Sequence, residues 1–315
     1  MSYASAVSYQ PSYQPPVYVS LTTIPSRIHL IRDNLMILAK QTYTNFKGIL
    51  LVVPENNIRG FKWDQELPEW LQEIPNLQVV RPIHDRGPIM KYIGAVMENK
   101  VPDNAWMFVC DDDIEYKPNA IEMFVDGLNQ TTCSEKTIVS HNDSRLSFMW
   151  VYGVEPESLI TGFAGVLVHQ KFAHDILREL PPKMTECCTR IDDDMVTAIA
   201  KRLGYVKYKT KLPAFESTAQ KAPNPLNNTN RIWDRHVCHS NMSETYAENT
   251  LKLLVIISAF FLVSLLVMVF LVGGQFTPMV AIPSALLLAL GCGITSFAVL
   301  KNNFFKHLSK KTHKK

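Results

Sequence analysis

The segment Trp106-Met107-Phe108-Val109-Cys110-Asp111-Asp112-Asp113 decides the fold, because a fully apolar run of strand length ends abruptly in three carboxylates. Other stretches of the chain are also strand-like, and segments whose apolar residues recur at helical spacing are interleaved with them. The strand-like stretches are 17–21, 48–53 and 77–80, and the helical segments are 30–39 and 88–96. This alternation of strands and helices predicts an α/β sandwich.

Asp111, Asp112 and Asp113 follow the apolar strand directly, where open α/β sheets place their ligand crevice. Two like charges about 4 Å apart repel by roughly 4 kcal/mol at an effective dielectric constant of 20, so three adjacent carboxylates need a cation or much water. Alternation along an extended chain predicts that Asp111 and Asp113 point to one side and Asp112 to the other. Because carboxylate oxygens suit Mg²⁺ or Mn²⁺, the run predicts a divalent ion site, with a solvated acidic turn as the alternative.

A second acidic run, Asp192-Asp193-Asp194, immediately precedes the segment 195–203, which reads as a helix closed by Gly204. Carboxylates in a first helical turn are commonly capping residues or partners of the helix dipole. A carboxylate that is not needed as a cap could instead be a general base that accepts a proton from an attacking hydroxyl.

Two further stretches are candidate ligand loops. The stretch 21–27 follows the first strand, and 84–91 leads into a helix N-terminus. The second places Arg86 and Lys91 beside amide groups that can hold an anion such as a diphosphate. A plain surface turn is the alternative for either stretch.

The C-terminal part of the sequence predicts a membrane anchor. Residues 253–272 and 279–300 are apolar runs, each long enough to cross a bilayer as a helix, and the short link between them predicts a helical hairpin; a buried core hairpin is the alternative. Lysines crowd 301–315, and basic residues also precede the first run, so both ends of the hairpin are expected to face the cytoplasm. The sequons at Asn129, Asn142, Asn227 and Asn241 are then expected to be unused.

Charge and composition exclude several classes of protein. Seven of the 32 Lys and Arg lie after Leu251, whereas all 29 Asp and Glu lie before it, so residues 1–250 carry a formal charge of about −4, which argues against a nucleic-acid partner.

Residues 1–16 repeat Ser-Tyr-Gln-Pro with few aliphatic side chains and predict a flexible arm without a secretory signal. The six cysteines lack paired metal spacing and are interpreted as reduced thiols; a zinc site using Cys187 and Cys188 with His236, Cys238 and His239 is the alternative.

Three motifs together resemble the GT-A glycosyltransferases of bacteria and large algal viruses, over roughly residues 17–215. They are Leu-Thr-Thr-Ile-Pro-Ser-Arg at 21–27, Gly-Pro-Ile-Met-Lys at 87–91 and Cys-Asp-Asp-Asp-Ile-Glu-Tyr at 110–116. The resemblance implies a Rossmann-like nucleotide-diphospho-sugar transferase domain that binds Mn²⁺ or Mg²⁺ through Asp111 and Asp113. It also implies that Asp112 lies near the ribose or the donor sugar.

The resemblance implies roles for further residues. One carboxylate of 192–194 would be the catalytic base, with Asp193 favoured over Asp194 and Asp192, although Asp stands where such families usually have Glu. Thr22, Pro25 and Arg27 would contact the nucleotide, and the segment 162–166, which includes Gly165, would line the sugar pocket. His236 or His239 would complete the metal site; exposed histidines in a linker are the alternative.

The reaction implied is displacement at the anomeric carbon with inversion of configuration, in which a base deprotonates an acceptor hydroxyl. The metal and Lys91 or Arg86 would stabilise the leaving nucleoside diphosphate. The expected partners are a UDP- or GDP-sugar donor, a glycan, protein or lipid-linked acceptor, and a membrane.

The expected organisation has five parts. They are a disordered arm 1–16, a GT-A domain 17–235, a juxtamembrane linker 236–252, a transmembrane hairpin 253–300 and a basic cytoplasmic tail 301–315. A polyprenol-phosphate glycosyltransferase and a non-catalytic membrane scaffold are the alternative functions. A phosphohydrolase of the Asp-x-Asp type is disfavoured, because its motif has Thr or Val two residues after the second Asp, where this chain has Glu115.

Overall fold

The computed structural model describes a sheet-based domain with helices on both faces. The described residues are 12–58, 67–141, 159–180, 192–211 and 213–218. The strands are β1 (Val17–Thr22), β2 (Phe46–Val52), β3 (Leu77–Val80), β4 (Trp106–Val109), β5 (Ile114–Tyr116), β6 (Thr137–Ser140), β7 (Val166–His169), β8 (Val206–Lys209) and β9 (Phe215–Thr218). The helices are α1 (Arg32–Ala39), α2 (Met90–Met97), α3 (Ala120–Asn129), α4 (Gln170–Glu179) and α5 (Asp192–Arg202).

Seven strands form one mixed sheet in the order β3-β2-β1-β4-β7-β6-β8. Strand β7 is antiparallel to both of its neighbours, whereas the other pairs are parallel. Strands β5 and β9 form a separate antiparallel pair. The α/β class predicted from the sequence is confirmed, and the four predicted strands correspond to β1, β2, β3 and β4.

The central strands are buried because helices cover both faces of the sheet. On one face, alternate residues such as Val19 and Phe108 join a single apolar cluster with Leu35 of α1 and Phe124 of α3. On the other face, α2 contacts β1 and β2, and α4 packs against α2 and β7. Ser20 points toward this second layer and donates a hydrogen bond to the carbonyl of Lys91 in α2 (2.6 Å).

The reversal of β7 determines which loops meet at the site. Val109, the last residue of β4, pairs with Val166, the first residue of β7. The backbone N–H of Cys110 continues the ladder by donating to Ser20 O (3.1 Å), and Asp111 follows it. The chain that enters β7 therefore lies at the same edge of the sheet as the first acidic run.

Residues 12–16, which composition assigns to the flexible arm, are bonded to the domain. The hydroxyl of Tyr43 donates to Pro15 O (2.7 Å), and the N–H of Trp106 donates to Pro16 O (2.9 Å). Composition does not reveal these bonds because backbone carbonyls accept them, whatever side chains the segment carries. The domain therefore includes residues before Val17.

The predicted linker, hairpin and basic tail, with His236 and His239, lie outside the described residues, as do Cys187, Cys188 and Cys238. The chain divides into two units, and every described residue belongs to the one that comprises residues 1–150 and 154–239. Among the helices described, none combines the length and the apolar character that a membrane span requires.

Candidate active site

Lys91 joins the two acidic runs at the carboxyl edge of the sheet. Its ammonium lies 2.6 Å from Asp111 Oδ1 and 2.7 Å from Asp192 Oδ2, and its side chain is only 3% exposed. Burial acts to lower the pKa of Lys91, but the carboxylates of Asp111 and Asp192 raise it well above its usual value. The ammonium is therefore charged at neutral pH and holds together two segments about eighty residues apart in sequence.

Arg27 joins the other two carboxylates of the first run. Its Nη1 donates to Asp112 Oδ1 (2.8 Å) and to Asp113 Oδ2 (3.2 Å), and Thr23 Oγ1 donates to Asp112 Oδ2 (2.6 Å). The predicted alternation, with Asp112 turned away from its neighbours, is therefore wrong. Strand β4 ends at Val109, and Asp112 and Asp113 lie in a turn where period-two alternation does not apply.

Two carboxyl groups of the first run, those of Asp111 and Asp112, are partly desolvated by the surrounding protein. Burial raises the pKa of Asp112 to about 6, although Arg27 and the hydroxyl of Thr23 act in the opposite direction. Burial likewise raises the pKa of Asp111, and Lys91 opposes that shift. Both carboxylates would consequently be stabilised by additional positive charge.

The donor chemistry of this edge fits a divalent cation in part. Asp111, Asp112, Asp113 and Asp192 contact only Lys91 and Arg27 as basic partners among the ion pairs described, which leaves excess negative charge. Asp111 and Asp113 are 30% and 33% exposed and offer the hard oxygen ligands that Mg²⁺ and Mn²⁺ prefer. Within the described part of the chain, no three His, Cys, Asp or Glu side chains are grouped as ligands of one ion.

The three carboxylates of the second run occupy different environments in the first turn of α5. Asp192 is paired with Lys91, and Asp194 is buried at 2% exposure. Asp193 is partly exposed, and its Oδ1 accepts the backbone N–H of Gly162 (2.9 Å). Thr197 supports this turn by donating to Asp193 O (2.7 Å) while accepting the N–H of Ile160 (2.9 Å).

Two glycines before β7 lie in close contact with neighbouring side chains. A Cβ on Gly162 would lie 2.6 Å from Cε of Lys91 and closer still to Nζ. Gly165 has a φ of +85°, and a Cβ there would lie 2.8 Å from the ring of Phe108. The segment predicted to line the sugar pocket is therefore held against Lys91 and the sheet, and Asp193 is held against it in turn.

Tyr116 is a site residue to which the sequence analysis gives no role. Its hydroxyl donates to Phe163 O (2.7 Å) and accepts the N–H of Asp111 (3.2 Å), which connects the first acidic run to the glycine segment. Asn34 also fixes the run, because its Nδ2 donates to Asp112 O (3.1 Å). Tyr116 is the last residue of the motif 110–116, but the sequence gives no partner for its hydroxyl or for the side chain of Asn34.

The remaining residues predicted to bind the donor lie around the same edge of the sheet and differ in how exposed their side chains are. Thr22 Oγ1 donates to Val52 O (2.9 Å), and Pro25 begins a 3₁₀ turn, Pro25–Leu30, that carries Arg27. Arg86 is partly exposed and precedes the turn Gly87–Ile89, which leads into α2. Lys91 differs from the prediction, because its ammonium lies between two carboxylates rather than at an open anion site.

No protein-family model matches the chain, and no curated protein matches it. Among solved structures, it is similar to the mannosyltransferase PcManGT from Pyrobaculum calidifontis in complex with GDP-Man and Mn²⁺, with a TM-score of 0.47 and 14% identity over 90% of this chain and 81% of that one. It is also similar to the glycosyltransferase GlyE in Streptococcus pneumoniae TIGR4, with a TM-score of 0.36 and 12% identity over 63% of this chain. The match spans 46% of the GlyE chain.

Proposed function

We propose that the chain is a GT-A-type glycosyltransferase that moves a sugar from a nucleotide-diphosphate sugar to an acceptor hydroxyl. The observation that carries the proposal is the meeting of two acidic runs around Lys91 at the carboxyl edge of the sheet. Transfer from such a donor needs charge stabilisation of a leaving diphosphate and a base for the acceptor. Two separate carboxylate groups at one edge can meet these two needs.

The first run serves the donor in this proposal. Asp111 and Asp113 would hold Mn²⁺ or Mg²⁺, which when bound neutralises charge on the leaving diphosphate. Thr22, Pro25, Arg27 and Arg86 border the same edge and would contact the nucleotide of a UDP- or GDP-sugar. Asp112, already fixed by Arg27 and Thr23, would face the ribose or the sugar, with Gly165 on the sugar side.

Asp193 is the proposed base. Asp192 is ion-paired to Lys91 and Asp194 is buried, whereas Asp193 is partly exposed and oriented by the N–H of Gly162. Its carboxylate would accept the proton of the acceptor hydroxyl as the new bond to the anomeric carbon forms. The bond from that carbon to the diphosphate oxygen breaks on the opposite face, so the configuration inverts.

The test uses the full chain in detergent. UDP- and GDP-sugars are screened with Mn²⁺ for release of nucleoside diphosphate, and Asp193→Asn is expected to lower kcat by at least about 100-fold, as for loss of a general base. The double variant Asp111→Asn, Asp113→Asn is expected to remove the metal dependence together with turnover. Asp103→Asn, at the opposite edge of the sheet, is the matched control. Absence of both donor binding and turnover in folded wild-type protein would contradict the proposal and favour a membrane scaffold.

Membrane anchoring through residues 253–300, with the transferase domain on the cytoplasmic side, is part of the proposal. It rests on the length and apolar character of the two runs and on the lysines that follow them. Retention of the protein in carbonate-washed membranes and absence of N-glycans are expected. Partition of labelled product into organic solvent would identify a polyprenol-phosphate acceptor rather than a glycan or protein.

A further inference from the structure

We infer that Lys91 is a positioning residue that locks the base-bearing helix α5 to the end of strand β4. The effect of Lys91 on catalysis rests on the proposed function, whereas its effect on the position of α5 rests on the contacts that it makes. One ammonium forms ion pairs with Asp111, which follows β4, and with Asp192, which begins α5. Asp193, the proposed base, is the next residue along α5, so its location depends on where Lys91 holds Asp192.

Lys91 is itself fixed at both ends. Its carbonyl accepts the hydroxyl of Ser20 from β1 (2.6 Å), which anchors the first turn of α2 to the sheet. Its ammonium passes over Gly162, at a distance that leaves no room for a Cβ. Because both ends of Lys91 are fixed, its side chain sets the distance between the helix layer and the acidic runs.

A second bond completes the positioning of Asp193. The N–H of Gly162, the same residue that makes room for Lys91, donates to Asp193 Oδ1 (2.9 Å). Asp192 and Asp193 are therefore held at adjacent points, one by the ammonium and one by the glycine amide. Two anchors on consecutive residues define the rotation of the first turn of α5 as well as its distance from β4.

The same geometry argues against Lys91 as a direct ligand of the donor diphosphate. An anion that approached the ammonium would meet the carboxylates of Asp111 and Asp192 first, because both already contact it. A positioning role and a diphosphate-binding role of Lys91 predict different effects of its loss on donor KM and kcat. Loss of a positioning residue lowers kcat at nearly constant donor KM, whereas loss of a ligand of the donor diphosphate raises donor KM, with or without a fall in kcat.

The first test displaces the ammonium without changing any charge. In Gly162→Ala the added methyl group would collide with Cε and Nζ at the end of the flexible Lys91 side chain, and Gly162 has no left-handed φ that would forbid alanine. The second variant, Lys91→Met with Asp192→Leu, removes both charges of the more buried pair, so Asp192 is not left without its counterion, and Asp111, which also loses Lys91, is 30% exposed and can be hydrated. Lys100→Met, at the exposed C-terminal end of the same helix region, is the control.

Full-length proteins in detergent are compared by thermal melting, by donor KM and kcat, and by amide hydrogen exchange of residues 159–165. We expect both site variants to melt close to the wild type, with kcat lowered at least 10-fold, donor KM changed by less than twofold, and faster exchange at residue 162. The control is expected to match the wild type in every measurement.

Two kinetic results would overturn the inference. A 10-fold rise in donor KM, whatever the change in kcat, would make Lys91 a donor ligand, and wild-type kcat in the double variant would make the pair purely structural. The exchange measurement does not depend on activity. Unchanged exchange at residue 162 in both variants would therefore refute the positioning role, whereas a wild type without turnover would refute only the transferase proposal.

Discussion

At the scale of single residues, the hydroxyl of Tyr116 joins two segments that the sequence leaves unconnected, the first acidic run and the glycine segment. Tyr116→Phe retains the packed ring but removes the partner of Phe163 O and of the Asp111 N–H. We expect a loss of about 1–3 kcal/mol in the free energy of unfolding, as for buried groups deprived of a partner, together with slower turnover. Urea unfolding measures the first effect. The control is Tyr208→Phe, because the hydroxyl of Tyr208 donates to Gln130 at an exposed position; this variant should change the free energy of unfolding by less than about 0.5 kcal/mol. Equal losses in the two variants would contradict the role given to the Tyr116 hydroxyl.

Gly165 combines a left-handed backbone with close packing. In Gly165→Ala the φ of +85° is strained, and the Cβ would lie 2.8 Å from Phe108 and 3.3 Å from Phe124, both fully buried rings. Gly204→Ala isolates the backbone cost, because Gly204 has a φ of +71° with nothing within 4 Å of its Cβ. We expect Gly165→Ala to lose about 1–3 kcal/mol more than Gly204→Ala in denaturant unfolding. Similar losses would show that the rings move aside.

At the scale of secondary structure, the imidazole of His169 links β7 to α4. Its Nδ1 accepts the N–H of Lys171 (3.3 Å) as the cap of α4, and its ring packs edge to face on Trp106 (5.4 Å). Burial lowers the pKa of His169, with Glu135 acting in the opposite direction. Because the unfolded chain then binds a proton more readily than the folded one, this contribution to stability is complete above about pH 6.5 and declines as the pH falls toward the folded-state pKa.

His169→Asn supplies the matched comparison, since asparagine also caps helices but does not titrate. Urea unfolding of both proteins between pH 7.5 and 5 is expected to show the wild type losing stability relative to the variant as the pH falls below about 6.5. A constant difference between the two proteins over this range would contradict the assigned sign.

The elements differ in how far the sequence predicts them. The apolar runs locate β1 to β4 within one or two residues, because buried strands bounded by polar turns have a distinct local pattern. The direction of β7 could not be predicted, since the four residues Val166–His169 carry no information about their partners. Helix α5 begins at Asp192 rather than Met195, because the acidic run itself forms the first turn.

The site was predictable in its parts but not in its pairings. The acidic runs, Arg27 and Lys91 are identified by residue type and motif, whereas the partners of Lys91 come from segments far apart in sequence. Only the folded sheet brings these together. Local alternation also gave a wrong orientation for Asp112, since the strand ends before it.

At the scale of the whole molecule, the protein supplies cations of its own to the acidic edge. Lys91 and Arg27 neutralise part of its charge, so the fold is not expected to depend on a bound metal. Treatment with EDTA should leave the melting temperature unchanged within about 2 °C while it abolishes turnover, and Mn²⁺ should raise that temperature modestly by binding the native state. Scanning fluorimetry with and without chelator measures both effects. A fall of more than 10 °C in EDTA would instead indicate a structural metal.

Because strand β7 is reversed, its first residue lies at the edge of the sheet that carries the acidic runs and its last residue at the opposite edge. Because Val166 begins beside the end of β4, the strand finishes at the far edge, where His169 pairs with Trp106 and the connection from α3 reaches β6. The far edge carries none of the acidic runs. A reporter domain or a surface tether joined to the exposed connection around Ser134 would therefore leave the acidic edge accessible.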